Sequence, residues 1–211
     1  MSFPCYANYK DSGVEWLGEV PAHWDVTRIK HTLKMMGSGG TPDTSVAAYW
    51  SDDDTGIPWV AIADMSSRDY VEKSAKRLTS SGVESKGLCI WPVGTLLFSM
   101  YASLGHVTEL RIAATTNQAI LALVPNKRTA QDFLKRWFEF LRPKLVEHAS
   151  SNTQDNLNAE KVRNLLVLRP PMQEQSQIAA FLGRETAKID ELVAEQRRLM
   201  ELLKEKRQAV I

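Results

Sequence analysis

The sequence predicts an α+β protein in which a mixed-sheet domain is followed by a long C-terminal coiled-coil helix. Short apolar runs of strand length occur through residues 26–124, and helical patterns follow them. From Gln173 to Ile211, apolar residues recur at heptad spacing. Strands and helices that are segregated along the chain are typical of α+β folds. We expect one globular domain over residues 1–170 and the long helix over residues 171–211.

The N-terminal segment, residues 9–24, does not resemble a regular element. It holds two Trp, two Gly and one Pro among charged residues. Gly and Pro favour turns and loops, so we expect an irregular segment that is pinned to the domain by its large apolar side chains: Trp16, Leu17 and Trp24.

The predicted sheet is built from short apolar runs that are separated by loops. Residues 26–36 fit either a strand or a helix, and they end in a Gly-rich loop, residues 37–43. Apolar runs of this length predict buried strands. The expected elements are a strand at 57–65, a strand–turn–strand unit at 89–100, and strands at 107–112 and 119–124.

Helical signals dominate after the strands. Thr129, with Asp132 three residues later, predicts the capped start of a helix, which Pro143 should bend or end. Asn158 can cap a short helix around Lys161. The remaining expected features are a last strand at 165–168 and a start of the long helix that is set by Pro170 and Pro171.

The heptad pattern of the long helix predicts packing against another helix. Thirty-nine residues at about 1.5 Å each extend about 58 Å, more than a compact domain needs. A helix packed on its own domain is the ordinary alternative, but the length and spacing favour an intermolecular or inter-repeat coiled coil. Glu185 and Lys206 interrupt the seam, and Phe181, Val193 and Leu202 lie off it. The predicted interface residues are Ile178, Leu182, Ile189, Leu192, Gln196, Leu199, Leu203 and Val210.

Composition limits the class of protein. The 211 residues are 44% hydrophobic and 24% charged, with a net charge of +1, so a strongly basic nucleic-acid-coating protein is excluded, although a local DNA-binding patch is not. Cys5 and Cys89 have no metal-ligand spacing, which favours a reducing compartment. Neither a signal peptide nor a membrane-spanning run of about 20 apolar residues is present. These observations predict a soluble, cytoplasmic protein.

The sequence offers little support for an enzyme. It contains no phosphate-binding loop, dinucleotide fingerprint or nucleophile elbow, and its four His are scattered. Asp52, Asp53 and Asp54 could hold a cation but are more typical of solvated charge. Glu84 and Lys86 form the E-x-K pair of a nuclease without a convincing acidic partner upstream. We expect no catalytic residues, no metal and no cofactor.

Candidate binding residues are more numerous. Basic residues cluster within residues 68–77, where they fit either a phosphate-binding patch or a solvated surface. Polar side chains also concentrate in the loops 99–106 and 151–156, and hydroxyl and amide groups can contact phosphates and base edges. Asn117 and Gln118 fit a backbone-capping role equally well. The candidate DNA-binding residues are Ser38, Thr41, Arg68, Lys73, Lys76, Arg77, Tyr101, Ser103, His106, Asn152, Gln154 and Asn156.

A series of motifs follows in a fixed order along the chain. They are YKDSGVEWLGEVPAHW (9–24), GGTP (39–42) followed by Tyr49 and Trp50, IPWVAIADM (57–65), GTLLFSMYASLG (94–105), TNQAILAL (116–123), TQDNLN (153–158), PPMQEQSQIAAFL (170–182) and the closing KIDELVAEQRRLMELLKEKRQAVI. In this order the sequence resembles the specificity subunits of type I restriction–modification systems. The motifs run from the N-terminus to the last residue, so the resemblance covers the whole chain.

The resemblance implies a non-catalytic DNA-recognition subunit. Such subunits usually contain two target-recognition domains, each followed by a long helix, and the two helices pair antiparallel. Each recognition domain reads one half of an interrupted DNA site. The helices set the spacing between half-sites and dock two methyltransferase subunits, which restriction subunits join later.

This chain departs from the family pattern because it holds one recognition domain and one helix. The uncapped end at Ile211 favours half of a longer chain, and a natural half-subunit is the alternative. In either case the exposed seam predicts self-association as an antiparallel homodimer. Two other functions stay open: a coiled-coil assembly adaptor whose domain binds protein, which the near-neutral charge supports, and a nuclease that uses Glu84 and Lys86.

Overall fold

A computed structural model describes residues 6–66, 69–101, 103–151 and 157–209. Its largest sheet is mixed and five-stranded. The neighbouring pairs are antiparallel except for the last, which is parallel. In spatial order the strands are β4 (Leu33–Ser38), β12 (Ile120–Pro125), β9 (Leu96–Ser99), β10 (Val107–Leu110) and β7 (Tyr70–Val71).

Both faces of this sheet are buried, because alternate residues of its central strands point to different cores. Phe98 and Leu121 belong to a core shared with helix α3 (Gln131–Ser151), and the rings of Phe98 and Phe138 lie 5.1 Å apart. Leu97 and Ala122 face the opposite side, in a second core. The period of two in a strand explains why every residue of β9 is buried.

A second sheet of four strands lies beside the first and shares the second core through Val60. Helix α2 (Ser80–Ser85) follows it, and the Thr79 hydroxyl caps that helix by accepting the Gly82 N–H. In spatial order the strands are β11 (Thr115–Thr116), β6 (Ile57–Val60), β8 (Lys76–Leu78) and β5 (Trp50–Ser51).

Several predicted strands differ from the observed ones. The predicted strand 57–65 stops at Val60, and helix α1 (Ile62–Met65) follows because Asp64 accepts the Ala61 N–H. The predicted strand–turn–strand unit 89–100 forms one strand, β9, and Trp91 makes only an isolated bridge with Ala114. The ambiguous segment 26–36 holds β3 (Asp25–Arg28), a 3-10 turn (Ile29–His31) and the start of β4.

Helix α3 begins at Gln131, so the predicted capping box at Thr129 is wrong. The Thr129 hydroxyl donates to Asn126 Oδ1 at 3.3 Å instead. Of the two effects predicted for Pro143, a bend or an end of the helix, the end is wrong, since α3 continues to Ser151. Pro143 lies on the exposed side of the helix, where water can bond the carbonyl that loses its donor.

The prediction for the following segment is confirmed. Asn158 Oδ1 accepts the Lys161 N–H at 2.9 Å and caps helix α4 (Ala159–Asn164). Strand β13 (Leu166–Arg169) comes next and pairs antiparallel with β3. After Pro170 and Pro171 the chain enters helix α5 (Met172–Ala209), which confirms the expected long helix.

A buried amide, Gln175, fixes the start of helix α5 in the domain. Its side chain is 1% exposed. Its Oε1 accepts the Ala130 N–H at 2.8 Å, and its Nε2 donates to the carbonyls of Pro170 and Arg128 at 2.8 and 3.1 Å. Backbone groups at the ends of two helices are therefore satisfied by one side chain.

The N-terminal segment is more regular than predicted, because it contains the hairpin of β1 (Tyr9–Asp11) and β2 (Glu19–Pro21). The expected anchors do contact the domain. Leu17 and Trp24 pack on the first core, and the Trp16 ring lies 6.4 Å from that of Trp137.

Glu174, in the first turn of α5, joins this N-terminal segment to the long helix. Its carboxylate accepts hydrogen bonds from Tyr6 Oη at 2.9 Å and Trp24 Nε1 at 2.9 Å, and His23 Nε2 lies 2.8 Å away. Burial alone would raise the pKa of Glu174. The hydrogen bonds from Trp24, His23 and Tyr6 outweigh burial and lower the pKa below its ordinary value.

We predict that Glu174 makes folding stability dependent on acid. Because its pKa is depressed in the folded state, its contribution is present above the unfolded pKa of about 4.3 and is lost as pH falls through the folded pKa. Glu174→Gln should therefore lose less stability than the wild type between about pH 5 and pH 3. Urea unfolding at each pH measures this, with Glu201→Gln as a control on the distal helix. An identical acid dependence in Glu174→Gln and the wild type would contradict the prediction.

Candidate nucleic-acid interface

One end of the five-stranded sheet collects three polar loops. β4 ends there at Ser38, β9 ends at Ser99, and β12 begins at Ile120, because antiparallel strands pair Ser38 with Leu121 and Ser99 with Ile120. We call the surface formed by residues 38–43, 99–101, 103–106 and 117–119 the loop edge. The structure thus brings together segments that are distant in sequence.

The first loop of this edge is held by close backbone contacts against Thr116, the residue that precedes the third loop. Gly39 has no room for a side chain, since a Cβ there would lie 1.7 Å from the Thr116 carbonyl oxygen. The Gly40 N–H donates to the same carbonyl at 2.9 Å. The Thr41 hydroxyl then donates to Gln118 Oε1 at 2.6 Å. A hydroxyl and an exposed amide are therefore presented side by side.

Two tryptophans join this loop to the basic segment. Trp59 Nε1 donates to the Gly40 carbonyl at 2.9 Å, and Trp50 Nε1 donates to the Asp43 carbonyl at 3.2 Å. Their rings pack edge to face with centroids 5.3 Å apart. Lys76 Nζ lies 5.2 Å from the centre of the Trp50 ring, within cation–π distance. A cation from one predicted patch is thereby placed beside the loop that carries Thr41.

The described polar residues of the loop 99–106 differ in their exposure to solvent. Tyr101 is 54% exposed, and Ser103 is exposed with a φ of 60°. His106 faces inward, with Nε2 2.9 Å from the Met65 carbonyl oxygen. Tyr101 and Ser103 are accessible to a ligand, whereas the His106 ring connects the loop to helix α1.

The other predicted residues lie apart from this edge or are already engaged. Arg77 is half-buried, donates to the Gly56 carbonyl at 3.0 Å and lies 3.6 Å from Asp54, so it braces a turn. Lys73 is exposed between β7 and β8. Four predicted residues lie outside the residues that the structure describes: Arg68, Asn152, Gln154 and Asn156.

A charged cluster anchors the start of the basic segment to helix α3. Lys135 Nζ lies 2.8 Å from Asp69 Oδ1, and this hydrogen bond lowers the pKa of Asp69. Two cations lie close to the centre of the Tyr70 ring, Lys135 Nζ at 5.0 Å and the Arg111 guanidinium at 4.2 Å. Glu109, which is buried, pairs with Arg111 at 3.3 Å. The chain is therefore fixed just before it reaches Lys73 and Lys76.

Sequence reasoning missed two features of the surface. No binding role was predicted for Trp50, although Lys76 Nζ lies over its ring. A second basic group, formed by Lys30, Lys34 and Arg163, lines a surface pocket near the start of β4. Arg163 lies more than a hundred residues from Lys30 and Lys34 in the sequence, so no local pattern identifies the group. The backbone-capping role predicted for Asn117 is confirmed, since its Oδ1 accepts the Ala119 N–H at 3.1 Å.

The structure adds nothing to a catalytic interpretation. Glu84 and Lys86 lie exposed at the end of helix α2. Asp53 accepts the Thr55 N–H at 3.0 Å, which lowers the pKa of Asp53. Among the described residues, no group of three His, Cys, Asp or Glu is arranged to hold a metal. In the same part of the chain, no helix is long and apolar enough to cross a membrane.

The predicted interface residues of helix α5 divide into two sets. Ile178 and Leu182 border an apolar groove at the base of the helix, together with Trp137 and Phe140. The rest of the described set points into solvent, and Leu192 is 65% exposed. Val210 lies outside the described residues. The exposed members are Ile189, Leu192, Gln196, Leu199 and Leu203.

Solved structures identify the class of fold. The chain is similar to a structure from work on complex assembly and conformational transition of the type I R-M system, with a TM-score of 0.74 and 21% identity over 95% of this chain and 47% of that one. It is also similar to the HsdS subunit from Thermoanaerobacter tengcongensis, with a TM-score of 0.66 and 19% identity over 86% and 41% of the two chains. The predicted α+β fold with a long C-terminal helix is thereby confirmed.

Sequence comparison then gives the family. The model of the type I restriction modification DNA specificity domain matches residues 21–199, and this chain belongs to that family. It is 27% identical over 191 residues to the MjaIX specificity subunit of Methanocaldococcus jannaschii and 26% identical over 174 residues to the HindI specificity subunit of Haemophilus influenzae. These matches cover 89% and 80% of this chain but 42% and 37% of the relatives. The chain therefore spans about two-fifths of the length of these relatives.

Proposed function

We propose that this chain reads one half of an interrupted DNA site as a recognition module of a type I restriction–modification complex. The observation that carries the proposal is the loop edge of a chain of this family, where the side chains of Thr41 and Gln118 stand side by side. Lys76 packs over the Trp50 ring, and the Trp50 indole bonds the first loop of this edge. Polar side chains from separate segments that are held in this way favour a binding surface.

The groups on this edge suit different parts of a duplex. Lys76, with exposed Lys73 nearby in the chain, would neutralise phosphates and fix the register of the protein on DNA. Gln118 can form paired hydrogen bonds with the edge of an adenine, and Thr41 can contact either a base or a phosphate. Tyr101 and Ser103 extend the same polar surface. Neighbouring side chains would thus position the protein on the DNA and discriminate between bases.

Catalysis would belong to the partner proteins. A methyltransferase subunit must extrude the target adenine from the duplex before it can methylate that base, and this chain would hold the subunit at the recognised site. Restriction subunits would join the complex later. The chain would act in the cytoplasm, without a metal or cofactor of its own.

The division of labour within the chain follows the same proposal. Residues 1–170 would form the recognition domain, and residues 171–211 would form the helix for self-association, half-site spacing and docking of the methyltransferase. The extent of the matched relatives supports this proposal, since one copy of this chain corresponds to less than half of each. Two copies would then supply the two recognition domains.

We predict that Lys76→Ala weakens DNA binding without regard to sequence. Loss of one phosphate contact should lower affinity for duplex DNA several-fold and make the slope of log affinity against log salt shallower by about one. Fluorescence anisotropy over a salt series measures both quantities. Lys10→Ala, in the exposed N-terminal hairpin, is the matched control.

An unchanged salt slope in Lys76→Ala would remove Lys76 from the interface. Binding that does not respond to salt in the wild type would contradict DNA recognition as a whole, and would favour the assembly adaptor.

We also predict the pattern of methylation that the chain directs. Co-expression with its methyltransferase subunit should produce N6-methyladenine in a palindromic, interrupted motif, because one recognition domain would act twice through a homodimer. Single-molecule sequencing of the host genome measures this. Absence of the mark, while the same methyltransferase is active with a two-domain specificity subunit, would contradict the proposal that two copies of this chain suffice.

A further inference from the structure

Between Ile178 and Leu203, the apolar seam of helix α5 is interrupted by two polar residues, Glu185 and Gln196. The apolar seam residues beyond the domain, including Leu192 and Leu203, lie in solvent. An apolar stripe on a helix of this length requires a covering surface. The positions of these two polar residues indicate how the covering helix is aligned.

Covering of the stripe by α5 of a second, antiparallel copy is what the self-association proposed above implies, and we infer the one register in which the two helices pair. This inference rests on the proposed self-association and specifies its geometry. A two-fold axis passes between Asp190 and Glu191, and every described seam position from 178 to 203 finds a matching partner. The facing residues are Ile178 with Leu203, Leu182 with Leu199, Glu185 with Gln196, and Ile189 with Leu192.

Polarity matching selects this register among the antiparallel ones. Glu185 faces Gln196, so the amide can donate to the carboxylate and the two interruptions share a layer. A shift of one heptad in either direction places polar residues against apolar ones, which leaves buried polar groups without partners. One shift faces Glu185 with Leu203 and Leu192 with Gln196; the other faces Glu185 with Ile189 and Ile178 with Gln196.

A parallel pair is disfavoured by the same residues. In-register parallel helices would face Glu185 with Glu185 and Lys206 with Lys206 across the seam, and like charges at such positions repel. In the antiparallel register, each Glu185 instead faces the neutral Gln196 of the second copy, whose amide can donate to the carboxylate. No like charges meet at this layer of the antiparallel pair.

The residues that flank the seam match in the same register. Lys188 of one helix lies beside Glu195 of the second copy, and symmetry repeats this pair of opposite charges. Phe181 lies beside Leu202, two residues that do not belong to the seam. Flanking charges of this kind determine the partner and orientation of paired helices. These two flanking pairs therefore agree with the register that Glu185 and Gln196 select.

The apolar groove at the base of α5 is also covered. It is formed by Leu17, Trp24, Phe133, Phe140, Ile178 and Leu182, and the last two also belong to the seam. The inferred register brings Leu199, Leu202 and Leu203 of the second copy over this groove. The tip of each helix would thus pack on the domain of the other copy, which joins the two recognition domains rigidly.

Disulfide trapping tests the register. In a Cys5→Ser/Cys89→Ser background, a Glu185→Cys chain is mixed with a differently tagged chain that carries one cysteine, at position 196, 203 or 189. The inferred register predicts a mixed disulfide with Gln196→Cys. Preferential trapping with Leu203→Cys or Ile189→Cys would establish a shifted register, and a disulfide between two Glu185→Cys chains would establish a parallel pair. Either result overturns the inference.

Charge reversal provides an independent test. Lys188→Glu and Glu195→Lys should each weaken the homodimer roughly tenfold, because each creates two like-charge pairs. An equimolar mixture of the two variants should recover dimer formation, since the heterodimer restores both opposite-charge pairs. The matched control is Lys204→Glu mixed with Glu191→Lys, whose side chains lie on the outer face in this register. Sedimentation equilibrium measures each case, and equal behaviour of the two mixtures would overturn the inference.

The outcomes separate this inference from the proposed function. If the wild-type chain is monomeric and no cysteine pair is trapped, pairing of the helices is overturned. DNA affinity and its salt slope, measured on the same preparation, then report separately on the loop edge.

Discussion

The fold depends on the way in which Gln175 ties the long helix to the domain. A buried amide forms hydrogen bonds with the Ala130 N–H and with the carbonyls of Arg128 and Pro170. An apolar residue there would leave these buried groups without partners, which is costly in a protein interior. One turn of helix α5 is thus a structural part of the domain, and Glu174 beside it holds the N-terminal segment. The direction in which the helix leaves the domain follows from these bonds.

The loop edge depends on a different constraint, the close packing of its backbone. Gly39 lies against Thr116, and the indoles of Trp50 and Trp59 hold the carbonyls of the same loop. The polar groups at the edge therefore sit on a rigid support, which reduces the ordering needed when a ligand binds. The base of the helix and the loop edge therefore belong to one domain, and their relative position is fixed by its packing.

Much of the architecture followed from the sequence, where the signals are local. The long helix, the Asn158 cap and the strands β10, β12 and β13 were predicted from periodicity and capping residues. Two of the wrong predictions have different causes. Thr129 does not cap helix α3, because the Ala130 N–H is satisfied by Gln175, which is distant in sequence. The strand predicted at 57–65 ends early because Asp64, three residues from Ala61, accepts the Ala61 N–H and starts helix α1.

The sequence by itself determined the family, the α+β class and the heptad seam with its polar interruptions, because motif order and periodicity are properties of the linear chain. Only the tertiary structure decided which polar residues stand together. It joined Thr41 to Gln118 and Lys76 to Trp50, turned the His106 ring towards Met65, and used Arg77 to brace a turn. Strand pairing in three dimensions fixes which loops meet at one sheet end, and no spacing in the sequence encodes that meeting.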